Sequence, residues 1–210
     1  DETYDTALTQ VTVDTNYANL LLQHSEDGKA HLSIYAEEKG VKVSQVGSVL
    51  SISVQSEDSK TVDINSLNTE QAKITLSPPA DYSGVLDIQS NYGNLSAAAF
   101  PDISIQVKSD YGNLDIDAAA RLQAECAYGN IDAGEINGYL EIEADYGSVS
   151  IDRLTLSEDA EIACEFGSVS IGSADGILVK AETQFGSADI RQNPSAYTAT
   201  LKIETDAGSR

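Results

Sequence analysis

The chain has 210 residues, enough for one large domain with a sizeable core. Its 34 acidic residues against 12 basic ones give a net charge of -22. That excludes nucleic acid as a partner and disfavours docking on anionic lipid heads, because both need Lys and Arg. A 41% hydrophobic content with 22% charge argues for a folded chain, and no apolar run reaches the 18 residues of a membrane span.

Residues 1–80 are irregular. Strands are expected around Val11 and Val13, Leu32 and Ile34, Val41 and Val43, and from Val49 to Val54. Tyr17-Ala18-Asn19-Leu20 is an early copy of a unit that becomes regular later, with Ala in place of Gly. Pro78-Pro79 marks the join to residues 81–210. The expectation is one domain over 1–210 whose first turns are wider, with a two-lobe division as the alternative.

From residue 84 onward a repeat takes over. Its unit is an aromatic residue, Gly, then Asn or Ser, then an aliphatic: Tyr92-Gly-Asn-Leu95, Tyr111-Gly-Asn-Leu114, Tyr128-Gly-Asn-Ile131, Tyr146-Gly-Ser-Val149, Phe166-Gly-Ser-Val169 and Phe185-Gly-Ser-Ala188. Successive aromatics are 17 to 20 residues apart, and a degenerate copy, Ala207-Gly-Ser-Arg210, follows at 22. Six, four and two residues before each aromatic lie small or apolar residues, as in Leu122, Ala124 and Cys126, with polar residues between them. Period-two alternation means a strand with one buried face. A second short strand follows the Gly, and the segment returning to the next copy, such as 191–200, reads as a surface loop. One such strand pair cannot bury its apolar face alone, but stacked copies can. The fold expected is therefore an all-β, single-stranded β-solenoid with rungs of about 17–22 residues, spaced about 4.8 Å.

In this register Ile88, Val107, Ala124, Ile142, Ile162, Ala181 and Ile203 form one inward ladder. Cys126 and Cys164 point inward two rungs apart, near 10 Å, too far for a disulfide. Gly at the corner supplies φ > 0, and the Asn or Ser beside it bonds along its own ladder. Continued alternation places the aromatic on the same face as Ile88, so the rings are expected to fill a corner of the core. The competing expectation is an outward platform that stacks sugars. The small residue two places before each ring is expected to make room for it. The final copy leaves an open strand edge with Arg210 at an inward position, which predicts end-to-end self-association or further residues beyond.

Ile74-Thr-Leu-Ser-Pro78, then Leu86-Asp-Ile88, then the repeated aromatic-Gly units together resemble the bacterial family known as the putative adhesins or toast-rack domains. The resemblance covers roughly the whole chain and is tightest over 74–190. It implies a β-solenoid, often joined to a membrane helix in the intact protein, and it implies no catalytic residues. The absence of Met points to a processed fragment, so an anchor or signal segment upstream is expected.

The function expected is a non-catalytic cell-surface binding module, extracytoplasmic and anchored through a segment outside this sequence. Surface proteins, glycans or cationic peptides are its expected partners. The alternative is an extracytoplasmic scaffold or sensor domain in envelope-stress signalling. A polysaccharide-active enzyme ranks below both: Asp115 and Asp132 stand at equivalent positions in adjacent turns, the spacing a retaining glycosidase needs, but acidic solenoids offer such pairs by accident. The Asp positions change from turn to turn, unlike those of calcium-binding nonapeptide repeats. His24 and His31 show no metal-ligand spacing with Cys, and no cofactor is expected. The candidate site is an acidic docking patch on the outward face of the first strand, formed by Glu125, Glu141, Glu143, Asp145, Glu161 and Glu165. It would attract a cation, Ca²⁺ included, or a basic partner.

Overall fold

A computed structural model describes residues 1–4, 8–36, 40–55, 72–175, 178–192 and 200–205. Their regular structure is strand, with no α-helix among them. The strands belong to one sheet that folds into two rows of parallel strands. The first is ordered β6 (Val49–Val54), β2 (Gln10–Thr15), β8 (Val85–Tyr92), the C-terminal halves of β9 (Leu95–Tyr111), β10 (Leu114–Tyr128) and β11 (Ile131–Tyr146), then β13 (Ala160–Phe166), β15 (Leu178–Phe185) and β17 (Thr200–Thr205). The second is ordered β7 (Ala72–Ser77), β3 (Ala18–Leu22), the N-terminal halves of β9, β10 and β11, then β12 (Val149–Thr155), β14 (Val169–Asp175) and β16 (Ala188–Gln192). The aromatic-Gly units join the second strand of each rung to the first. The protein is a β-solenoid, as its repeat predicts.

Equivalent positions stack in order. Ile88, Val107, Ala124, Ile142, Ile162 and Ala181 are successive register partners, each 5% exposed or less. Ile203 follows at the next Cα position, while its side chain lies outside the described residues. A second column, Phe100, Ala119, Ile136, Leu154 and Ala174, is fully buried at the opposite corner. This second column corrects one expectation. Between the aromatic-Gly corners the return is not a loop in the middle rungs: β9, β10 and β11 are continuous strands of 15 to 17 residues. The return carries core residues of its own, so it stays extended and paired. The loop expected at 191–200 lies mostly outside the described residues, as do Ala207–Arg210.

The N-terminal turns are not in chain order, a second difference. The β6–β7 rung lies outside the β2–β3 rung, although it comes later in sequence. Three antiparallel strands then cover this end: β5 (Val41–Val46) pairs with β6, β4 (Ala30–Tyr35) with β7, and β1 (Glu2–Tyr4) with β4. Gly47, at φ 61°, turns the β5–β6 hairpin. Antiparallel partners cover strands that a bare parallel stack would leave open. Core residues of this end and of the regular rungs form a single buried cluster.

Candidate functional site: an exposed aromatic strip

The alternation of each first strand ends two residues before its ring. In the rung of Tyr111, Ser109 is the last inward side chain and Leu114 the next, with 110–113 between them forming the corner. Two inward positions five residues apart cannot belong to one alternating strand. The corner absorbs the odd residue, and the ring turns outward. The expectation that the rings fill the core is therefore wrong: Tyr92, Tyr111, Tyr128, Tyr146, Phe166 and Phe185 are 38–51% exposed. The small residues two places earlier do not make room for rings. Thr15, Ser90, Ser109, Cys126, Ala144, Cys164 and Thr183 line the inside of the corner instead.

The rings form one continuous stack. Neighbouring centroids from Tyr92 to Phe185 lie 4.8–4.9 Å apart with interplanar angles of 2–5°. Tyr17 adds a seventh, tilted ring at 5.5 Å. The spacing is that of the strands beneath. From Tyr92 to Phe185 each ring covers its neighbour's face, so this stretch shows solvent mainly its ring edges and, over four rungs, its phenol oxygens.

Glycine makes this packing feasible. Gly93, Gly112, Gly129 and Gly147 adopt φ between 148° and 152°. A Cβ on any of them would lie 1.9–2.0 Å from the carbonyl oxygen of the preceding corner, Ala18 for Gly93 and Gly for the rest. Beside them an amide relay runs along the corner. The Oδ1 atoms of Asn19, Asn94, Asn113 and Asn130 accept from the backbone N–H of the next rung at 2.8–2.9 Å, ending at Ser148.

All six residues of the candidate acidic patch lie on the outward side of the first row. Glu125 and Glu143 are register neighbours, as are Glu141 and Glu161, while Asp145 and Glu165 each precede a ring. The patch is partly neutralised. Lys108 pairs with Glu125, which raises the ammonium's pKa. Lys180 reaches Glu161 at 2.8 Å and Glu182 at 2.7 Å, and both contacts raise its pKa. Glu141 accepts from Gln123 at 3.0 Å and from the Tyr139 hydroxyl at 2.8 Å, which raises the Tyr139 pKa. No group of three or more His, Cys, Asp or Glu among the described residues is arranged to hold a metal ion. Asp115 and Asp132 are register partners on the exposed face of the second row, across the corner from the acidic patch.

A shallow pocket of about 150 Å³ lies within the acidic patch, over Ala127 and bordered by Lys108, Asp110, Glu125, Glu143 and Asp145. The sequence reading missed it. The signal is Ala127 itself, the one small residue in the position that Asn91, Asp110, Asp145, Glu165 and Gln184 fill in other rungs.

The sequence profile of the Toastrack DUF4097 family matches residues 8–209. The chain belongs to this family. The aromatic strip of this Toastrack chain is thus part of a domain-wide match. No curated protein matches it. Among solved structures, a putative adhesin from Bacteroides fragilis is 16% identical with a TM-score of 0.49, the alignment covering 97% of this chain and 95% of that one. A putative cell adhesion protein from Clostridium sporogenes is 10% identical with a TM-score of 0.40, covering 97% and 98%.

Proposed function

We propose that this Toastrack chain is a non-catalytic binding module displayed outside the bacterial cell, with the aromatic strip as its contact surface. One observation carries the reading. Six large rings stand in line at the surface, beside inward columns whose described aliphatic side chains are mostly buried. A contiguous apolar surface of this kind marks an interaction site. The stack also stabilises the corner, each pair adding about 0.5–1.5 kcal/mol. Stacking alone would be served as well by buried rings, so the exposure calls for a further reason. Nothing comparable supports catalysis: Asp115 and Asp132 stand on open strand surface, and neither lines the pocket.

The test is a titration followed on ¹³C-labelled tyrosine rings by NMR. Three probes are added separately: a basic peptide, a neutral oligosaccharide and an acidic peptide. At least one should shift the Tyr92, Tyr111, Tyr128 and Tyr146 signals while leaving buried Tyr4 and Tyr82 in place. If none of the three moves the strip rings, the reading falls.

A further inference from the structure

The borders of the strip select its partner. On the first-row side, Asp110, Asp145 and Glu165 stand immediately before their rings, and Glu143 lies one position further out. Among the described residues none of these four makes an ion pair within 4 Å, and only Asp110 and Glu143 feel the Lys108 ammonium at longer range. Around the pocket over Ala127, four carboxylates, those of Asp110, Glu125, Glu143 and Asp145, face a single ammonium, that of Lys108, already paired with Glu125. Three residues lining the pocket, Asp110, Ala127 and Asp145, immediately precede the exposed rings of Tyr111, Tyr128 and Tyr146, so negative charge and apolar ring surface are adjacent along the chain.

Three kinds of partner fit poorly. Sugars stack on ring faces, and the near-parallel rings 4.8–4.9 Å apart cover one another's faces. A second copy would bring another net charge of -22 against the same border. Anionic polymers and lipids meet the same repulsion. A lysine side chain matches both features: its stem lies on apolar surface while the ammonium reaches a carboxylate.

Resting on the strip as contact surface, we infer that its occupant is an extended, lysine-bearing segment of a partner protein. The segment runs along the rings, with one lysine seated in the pocket over Ala127 between Asp110 and Asp145. The stack from Tyr92 to Phe185 is about 24 Å long, which an extended chain of roughly seven residues spans.

The experiment uses the full chain and a fluorescein-labelled peptide of roughly twelve residues alternating Lys with Leu or Ala. Binding is read by anisotropy at about 0.15 M salt, where long-range attraction is largely screened. Ala127→Gln fills the pocket without changing charge, and the fold accepts Gln there because Gln184 holds the equivalent position. Asp110→Asn with Asp145→Asn removes two border charges. Asp115→Asn with Asp132→Asn removes two charges from the other row. Unchanged melting temperatures establish that each variant is folded. The inference predicts about a tenfold loss of affinity for the first two and less than about twofold for the third. Equal losses from both Asp pairs would reveal diffuse charge attraction and overturn it, as would unchanged binding by Ala127→Gln or no binding by the wild-type chain. If the neutral oligosaccharide or the acidic peptide shifts the strip rings while the basic peptide does not, the inference fails and the strip remains a contact surface.

Discussion

At the residue scale, the inside of the corner holds most of the unsatisfied buried hydroxyls among the described residues. The hydroxyls of Ser90, Ser109 and Thr183 are buried without a hydrogen-bond partner. Other rungs place Ala144 and the weakly polar Cys126 and Cys164 in the same column. A buried hydroxyl with no partner forfeits its bonds to water and gains nothing in return. Ser109→Ala is therefore expected to raise stability by about 1 kcal/mol, measured by urea unfolding; a loss of that size would mean that the hydroxyl has a partner after all. The cysteines follow from the same column. Both are free and buried, two rungs apart with Ala144 between them, as the alternation requires. Burial pushes the Cys126 thiol up to about 11 and raises that of Cys164. Neither should label with an aromatic disulfide reagent at pH 8 until the protein unfolds. The raised values also set a sign. Below an unfolded thiol pKa of about 9 both states are protonated; as pH rises from there towards 11 only the unfolded chain ionises, so stability falls across that window. A melting temperature constant from pH 8 to 11 would contradict the burial.

At the scale of the element, the corner shows what the sequence could and could not reveal. Strand, rung length and inward ladder were legible because alternation is a direct projection of a pleated strand onto sequence. The direction of the rings was not, because alternation stops at Ser109 and its equivalents, and counting two further residues carries the parity across a turn that does not preserve it. The spacing of five between Ser109 and Leu114 was the available sign, and so was the phenol of four of the six rings, a group that favours a wet end. The glycine column was legible in kind, though its strictest reason is contact. Gly129→Ala forces a side chain onto a backbone at φ 152° and places its Cβ 2.0 Å from the Gly112 carbonyl oxygen. It should cost about 3 kcal/mol or more; a change under about 1 kcal/mol in thermal unfolding would show that the corner relaxes freely. The amide relay predicts the opposite sign. It ends at Ser148, so Ser148→Asn supplies an acceptor for the Ser168 N–H and should add about 0.5–1 kcal/mol. Lower stability of that variant would mean that the relay geometry does not continue into the Phe rungs.

For the whole molecule, the repeat fixed the solenoid but not how it begins. Residues 1–55 read correctly as strands around Val11, Leu32, Val41 and Val49. Their order in space was hidden, because nothing local states which rung a strand joins when the chain leaves and re-enters the stack. The acidic patch was legible as an outward row flanked by Lys108 and Lys180 on the neighbouring turns, whereas the pocket over Ala127 depends on side chains from three rungs together. Architecture and function meet in the strip: parallel stacking at strand spacing aligns the rings, glycine corners bring them together, and the break in alternation turns them to solvent. Solvent paramagnetic relaxation on ¹³C-labelled tyrosine rings, using a neutral soluble gadolinium chelate, tests this most directly. The rings of Tyr92, Tyr111, Tyr128 and Tyr146 should broaden strongly, while those of Tyr4 and Tyr82, at 9% exposure or less, should not. Strip rings as protected as Tyr82 would place them in the core and contradict the account.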